Sequence, residues 1–344
     1  MLLLFVLIFI YLNAIFDLMK GNKRGRYDVE NTVNLDNFPH IKGYDFNGKF
    51  GFPEFMKSYS TMGFQGSSLS KAIEIFKIMK REKASIFLAF TSNMISSGNR
   101  DIIRYLVEKK YVDALVTTVG GIEEDVIKSI KPFVLGSFDA DGKYLFDKGV
   151  NKTGNIFVTN DRYTELEKFM NPIIEEAYRK QLKDGKALCA NEFIDILGSK
   201  IESRDSYLYW AHRNKIPVYC PAPTDGSLGD LLFFQRQRHS DFQLDVLGDI
   251  YRLVKLSMNA EKAGVIILGG GVVKHFLLNA QIFRDGADYA IYVNSMQEMD
   301  GSDSGAGTDE AVTWGKIKAN APQVKVHGDA TIIFPLIVAG ALKA

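Results

Sequence analysis

Lys316 lies in the stretch SGAGTDEAVTWGKIK, behind Trp314 and Gly315 and a turn or so after what reads as a helix start. Thr308 has the hydroxyl to cap such a helix, and Asp309 and Glu310 suit its positive N-terminal end. Gly315 inside a helix costs about 1 kcal/mol relative to Ala, so its presence asks for a reason. A lysine that is to form an imine must first lose its proton. At a reference pKa of about 10.4, about one lysine in a thousand or fewer is neutral at pH 7. Packing beside Trp314, or a second cation such as Lys274, would favour the neutral amine. From residue type alone Lys316 reads either as a solvated surface lysine or as a nucleophile.

Carboxylates gather in the same kinds of segment: Glu123, Glu124, Asp225, Asp230, Asp300, Asp303, Asp309 and Glu310. A crevice lined by that many acids calls for cations, because unpaired carboxylates otherwise protonate. A calcium loop starting at Asp300 would use Ser302 and Ser304, but Ala311 stands where its final Glu is needed. His40, His212, His239, His275 and His327 make no H-x-x-x-H pair. No metal is expected, and an organic cation with several amines remains. Lys274 and His275 follow Gly269, Gly270 and Gly271, at a turn whose amides could approach a phosphate or simply turn tightly. Neither this turn nor TTVGGIEED is a G-x-G-x-x-G fingerprint. His275 could bond an amine, act as a base or be structural.

The elements that must carry these residues are short apolar runs alternating with longer periodic segments. Strands are expected at residues 85–90, 114–118, 155–158, 216–219, 264–268, 289–293 and 324–327. Helices are expected at 100–110, 163–182 with an interruption near Pro172, 242–260 and 272–283. Continuous apolar strands separated by helices imply a parallel sheet covered on both faces. The fold class expected is α/β, a single large Rossmann-like doubly wound sheet. In such sheets ligands bind beyond the C-terminal ends of the strands. The acid- and glycine-rich segments follow the expected strands and should converge on one crevice.

The chain has 344 residues, 46% apolar and 24% charged, enough for a sizeable core. Lys plus Arg is 42 and Asp plus Glu 41, so no polyanion-binding surface is implied and no nucleic-acid partner is expected. Cys189 and Cys220 form no C-x-x-C pair, which fits a reducing compartment and a cytoplasmic location. The run LLLFVLIFIYL near the start is short of the roughly 20 residues that span a bilayer. No basic residues precede it, and Lys20, Lys23, Arg24 and Arg26 follow it. As an anchor it would leave the body of the protein cytosolic; alternatively, synthesis begins at Met19. We divide the chain into an N-terminal extension, 1–40, and a catalytic domain, 41–344.

TSNMISSG, TTVGGIEEDVIK, YWAHRNKIPVYCPAPTDGSLGD, ILGGGVVKH, DGADYAIYVN, EMDGSDSGAGTDEAVTWGKIK and VKVHGDATIIFPL resemble deoxyhypusine synthase in order and spacing, over about residues 40 to 342. The resemblance implies an NAD-dependent homotetramer with active sites at dimer interfaces. Such enzymes transfer the aminobutyl group of spermidine to one lysine of the precursor of translation initiation factor 5A. By position, the resemblance implies NAD contacts at Ser92, Asn93, Met94, Ile95, Ser96, Thr118, Val119, Gly120, Glu124, Asp225, Ser295, Asp329 and Ala330. It implies spermidine contacts at Glu123, Glu124, Asp230, His275, Gly301, Ser302 and Asp303, and along Glu310, Ala311, Val312, Thr313, Trp314, Gly315 and Lys316. The imine-forming lysine falls on Lys316, with Lys274 and His275 as further catalytic groups.

Val119 stands where the family usually has Ala, Ser295 where Thr is usual, and Gly307 and Thr308 where an Arg-Pro pair is usual. Three other readings remain open. Homospermidine synthase shares the scaffold and acts on putrescine. A catalytically silent partner subunit would complete a tetramer, although retention of Lys316, Lys274 and His275 argues against it. A simple NAD dehydrogenase needs no lysine nucleophile.

Overall fold

The computed structural model describes Asp36 and residues 38–344, so the apolar N-terminal run lies outside the described residues. The chain divides into two compact units, 1–41 and 42–344, and everything below concerns the second. Its centre is a sheet of β1 (Ser85–Phe90), β2 (Ala114–Thr117), β3 (Val218–Tyr219), β4 (Ala263–Leu268), β5 (Tyr289–Asn294) and β6 (Gln323–His327). All neighbours pair in parallel, in the order β3-β2-β1-β4-β5-β6. That order reverses direction between β1 and β4, and such switch points are where open α/β sheets bind ligands.

The strands read as unbroken apolar runs because both faces are covered. In β1, Ile86, Leu88 and Phe90 enter the larger core, while Phe87 and Ala89 enter a second core on the opposite face. The larger core is closed by α1 (Phe64–Arg81), α2 (Asn99–Glu108), α3 (Val119–Ile130), α4 (Asp161–Asp184), α5 (Tyr207–Asn214) and α6 (Ser227–Arg238). The second core lies under α7 (Val246–Asn259) and α8 (Gly271–Ile282). The short α9 (Thr308–Thr313) adds Ala311 to that second core, and α10 (Ala330–Leu342) returns to the first.

Two expectations about these elements fail. The run at 155–158 is not in the parallel sheet: Ile156–Thr159 is the central strand of a separate antiparallel sheet with Val134–Leu135 and Val150–Thr153. Only Val158 of this strand is buried, unlike β2, β4 and β5, which are buried throughout. The helix expected to break near Pro172 runs unbroken through it. Its apolar face (Leu166, Met170, Ile173, Ile174, Ala177) stays buried on both sides of the proline, and tertiary packing of that face outweighs the lost backbone bond. Among the described residues no helix is long and apolar enough to cross a membrane.

Candidate active site

The segments after β1 and β2 meet first. Ser92 begins the one-turn helix Asn93–Ser96, and its amide donates to Thr118 Oγ1 at 3.1 Å. The Thr118 side chain caps none of α3's own amides, and while Gly121 N–H donates to the Thr118 carbonyl at 3.0 Å, the Val119 and Gly120 N–H groups are left for a ligand. Gly120 is required here, since a Cβ on it would stand 2.8 Å from Ser92 Cβ. Met94, Ile95 and Val119 are buried in the core, so what they offer to this site is backbone rather than side chain.

One turn on, Glu123 and Glu124 are largely buried. Glu123 accepts from the Leu228 amide at 2.9 Å, at the start of α6. Gly226 permits this approach, because a Cβ there would lie 3.0 Å from the Glu123 carboxylate oxygens. Burial pushes the Glu123 carboxyl up, and the charges of Asp230 and Asp225 push the same way. Burial also pushes Glu124 up, to about 7, against the Ser96 hydroxyl that donates to it at 2.5 Å. Tyr163 from α4 belongs to this group: burial, then the charges of Glu123 and Glu124, hold its phenol above the ordinary value. The sequence reading missed it, and a lone tyrosine near a helix start gives no local signal.

Beyond the switch point, Gly269 has φ +93° and a Cβ on Gly270 would lie 2.5 Å from Ser304 Cα. The glycine turn therefore makes room for the loop between β5 and α9. That loop is closed by Gly305 against the Gln297 carbonyl, which a Cβ would meet at 1.7 Å. Two buried or largely buried lysines hold it. Lys274 Nζ donates to the carbonyl oxygens of Asp303 and Ala306, the latter at 3.1 Å. Lys325 Nζ donates to the carbonyls of Met296, at 3.2 Å, and Gly305. Burial lowers the Lys274 pKa, opposed by Asp303 and Glu310 and assisted by the charges of Lys325 and Lys316. Asp303 Oδ2 and Tyr292 Oη are buried without a hydrogen-bond partner, and burial first, then the charges of Asp303 and Glu310, pushes the Tyr292 phenol up.

Lys316 is not on the helix, and Thr308 does not cap it with its side chain; the N-cap is Gly307. Helix α9 ends at Thr313 with Trp314 as its C-cap, and Gly315 follows with φ +68°. Gly315 N–H donates to the Val312 carbonyl at 2.9 Å and Lys316 N–H to the Ala311 carbonyl at 2.9 Å. This is a Schellman closure, which needs a left-handed residue where Gly315 stands. The Lys316 carbonyl accepts from Ala287 N–H at 3.0 Å, so its backbone is fixed from two sides. Lys316 is 8% exposed. Trp314 is 65% exposed, its ring centroid 5.9 Å from Lys316 Nζ, and so gives the lysine less cover than its neighbourhood in sequence implied. A cavity of about 10 Å³, lined by Lys274, Asp303, Glu310, Trp314 and Lys316 among others, opens beside the amine. It has room for about one water.

Glu123 feels the charges of Asp225 and Asp230 and Glu124 that of Glu123, while Asp303 and Glu310 act on Lys274. His275 is exposed and bonds Asn279 through Nδ1 at 3.0 Å, facing away from its buried neighbour Lys274. Asp329 caps α10 by accepting from the Thr331 amide at 2.7 Å, with Ala330 as the first helical residue. Gly301 takes φ +71° next to the turn in which Ser302 N–H bonds Asp300, and Ser295 directly follows β5.

The sequence profile of the deoxyhypusine synthase family matches residues 54–341. The chain belongs to the deoxyhypusine synthase family. A deoxyhypusine synthase of Candida glabrata is 46% identical over 88% of this chain and 91% of its own. One from Arabidopsis thaliana is 45% identical over 87% and 89%. A crystal structure from Entamoeba histolytica, assigned to the same family, superposes with a TM-score of 0.64 at 28% identity, covering 87% of this chain and 96% of that one. As a deoxyhypusine synthase family member, the chain is an aminobutyltransferase, and the α/β fold with its parallel sheet is the family's.

Proposed function

We propose that the protein transfers the aminobutyl group of spermidine, with NAD, to one lysine of the precursor of translation initiation factor 5A, through an imine on Lys316. The observation that carries this is the placement of Lys316: a nearly buried amine on a doubly fixed backbone, beside Asp303 and Glu310. Asp303, with an unpartnered buried oxygen, and Glu310 suit the ammonium groups of a polyamine. Glu123, Asp230, His275 and the backbone of 301–302 are proposed as further contacts. His275 points outward, which supports a site completed at the interface of a homotetramer.

NAD fits the segments after β1 and β2. The Val119 and Gly120 amides at the start of α3 and the Ser92-to-Ser96 turn packed against Gly120 suit a phosphate at the end of β2. Glu124, Asp225, Ser295, Asp329 and Ala330 would complete its holding, across the switch point. When bound, NAD supplies the acceptor and then the donor of a hydride. Lys316 Nζ, unprotonated, bonds to the oxidised carbon next to the secondary amine as the bond to that nitrogen breaks, releasing 1,3-diaminopropane. The acceptor lysine then displaces Lys316 from the same carbon. The near-burial of Lys316 limits the water that can reach the imine. Lys274 holds the Asp303 loop rather than reacting itself.

Intact-mass analysis of the factor after incubation with spermidine and NAD tests this. We expect a gain of one aminobutyl unit with the wild type and none with Lys316→Ala. A normal rate with Lys316→Ala defeats the assignment, and homospermidine formed from putrescine with an unmodified factor favours the homospermidine synthase reading. The same domain, 41–344, is proposed as the whole catalytic unit in a cytoplasmic protein.

A further inference from the structure

We propose that Lys128 is the positioning residue of the turn that cradles the dinucleotide, an inference that rests on the cofactor reading above. The one-turn helix Asn93–Ser96 is too short to bond its own last carbonyls. Lys128 Nζ meets them from α3, donating to Ile95 O at 2.8 Å, Ser97 O at 3.0 Å and Ser96 O at 3.2 Å. One ammonium thereby uses all three of its protons on three consecutive carbonyls.

The rest of α3 completes the grip. Thr118 accepts from the Ser92 amide at one end of the turn, and Glu124 accepts from the Ser96 hydroxyl near the other. Glu124 and Lys128 are four apart and share a helix face, so one face of α3 holds the turn's side chain and its backbone at once. The charged groups facing Lys128 are Arg100 and Asp101 from α2 and Glu124 and Asp125 from α3. Its aromatic neighbour is the Phe133 ring, whose centroid lies 5.8 Å from the ammonium. Arg100 cannot substitute for it, because that guanidinium is engaged by Asp125 and Ser129. Lys128 has no place in the chemistry at Lys316; its action on a bound cofactor runs through residues 92–97.

The test uses the full chain as wild type, K128M and K128R, with hydrogen exchange measured before NAD is added. Amide hydrogen exchange at residues 92–97 should be faster in K128M, with K128R between it and the wild type. Calorimetric titration with NAD should show about a tenfold weaker affinity for K128M, the loss expected for charge-assisted bonds. At saturating NAD, kcat and the spermidine KM should stay near wild-type values, which a general loss of structure would not allow. Unchanged exchange at 92–97, or kcat and spermidine KM moving as far as NAD affinity, overturns the proposal. Faster exchange in K128M together with no NAD uptake by the wild type overturns the cofactor reading while leaving Lys128 as the residue that orders the turn.

Discussion

Glu124→Gln should flatten the pH dependence of stability. The Glu124 carboxyl is pushed up from 4.5 to about 7, chiefly by burial. Between those values the folded protein holds a proton that the unfolded chain has released, so stability falls as pH rises through this window. At 1.36 kcal/mol per unit the raised pKa corresponds to at most about 3 kcal/mol, fully lost by about pH 8. Glutamine has no proton to lose, and its side-chain oxygen can still accept from Ser96. Urea midpoints of the ligand-free protein at steps from pH 4.5 to 8 measure the effect. Glu123, also raised, and Asp249, pushed up to about 7 by its own burial, contribute to both proteins, so the difference between variant and wild type isolates Glu124. We expect that difference to grow in favour of the variant across the window. Parallel pH curves would show that Glu124 is ionised well below neutrality and that its burial does not act as argued.

Two further predictions follow from partners already described. Asp125 is fully buried and accepts from Arg100 Nε at 2.6 Å, Ser206 Oγ at 2.5 Å and the Leu208 amide at 3.1 Å. Asp125→Ala strands the Arg100 charge and should cost about 3–5 kcal/mol in urea unfolding; a loss below about 1 kcal/mol would mean the pair is replaced by water. Lys274→Met frees the Asp303 and Ala306 carbonyls and should raise the spermidine KM about tenfold with NAD affinity unchanged. Equal effects on both ligands would place Lys274 elsewhere in the mechanism.

Much of the sheet could be read in advance because burial on both faces writes itself as continuous apolar runs, as in 85–90 and 264–268. Strand order could not, since pairing joins residues far apart in sequence, and strand order is what divides the acids. Glu123, Glu124, Asp225 and Asp230 follow β2 and β3, neighbours on one side of the switch, while Asp303 and Glu310 follow β5 on the other. The post-strand loops carry them on both sides of that switch. Gly315 was misread for a related reason: a glycine inside a helix and one just past its end look alike until the helix's last bonds are known. Lys128 was legible only as an i+4 neighbour of Glu124, and nothing local says that three carbonyls from residues 95–97 converge on it.

The most direct test of the central claim is to trap the imine. The protein would be incubated with spermidine and NAD but no acceptor, reduced with borohydride, digested and analysed by mass spectrometry. The account predicts one aminobutyl unit on the peptide carrying Lys316 and none on that carrying Lys274. An aminobutyl unit on another lysine, or none on any peptide of a preparation that modifies the factor, would contradict it.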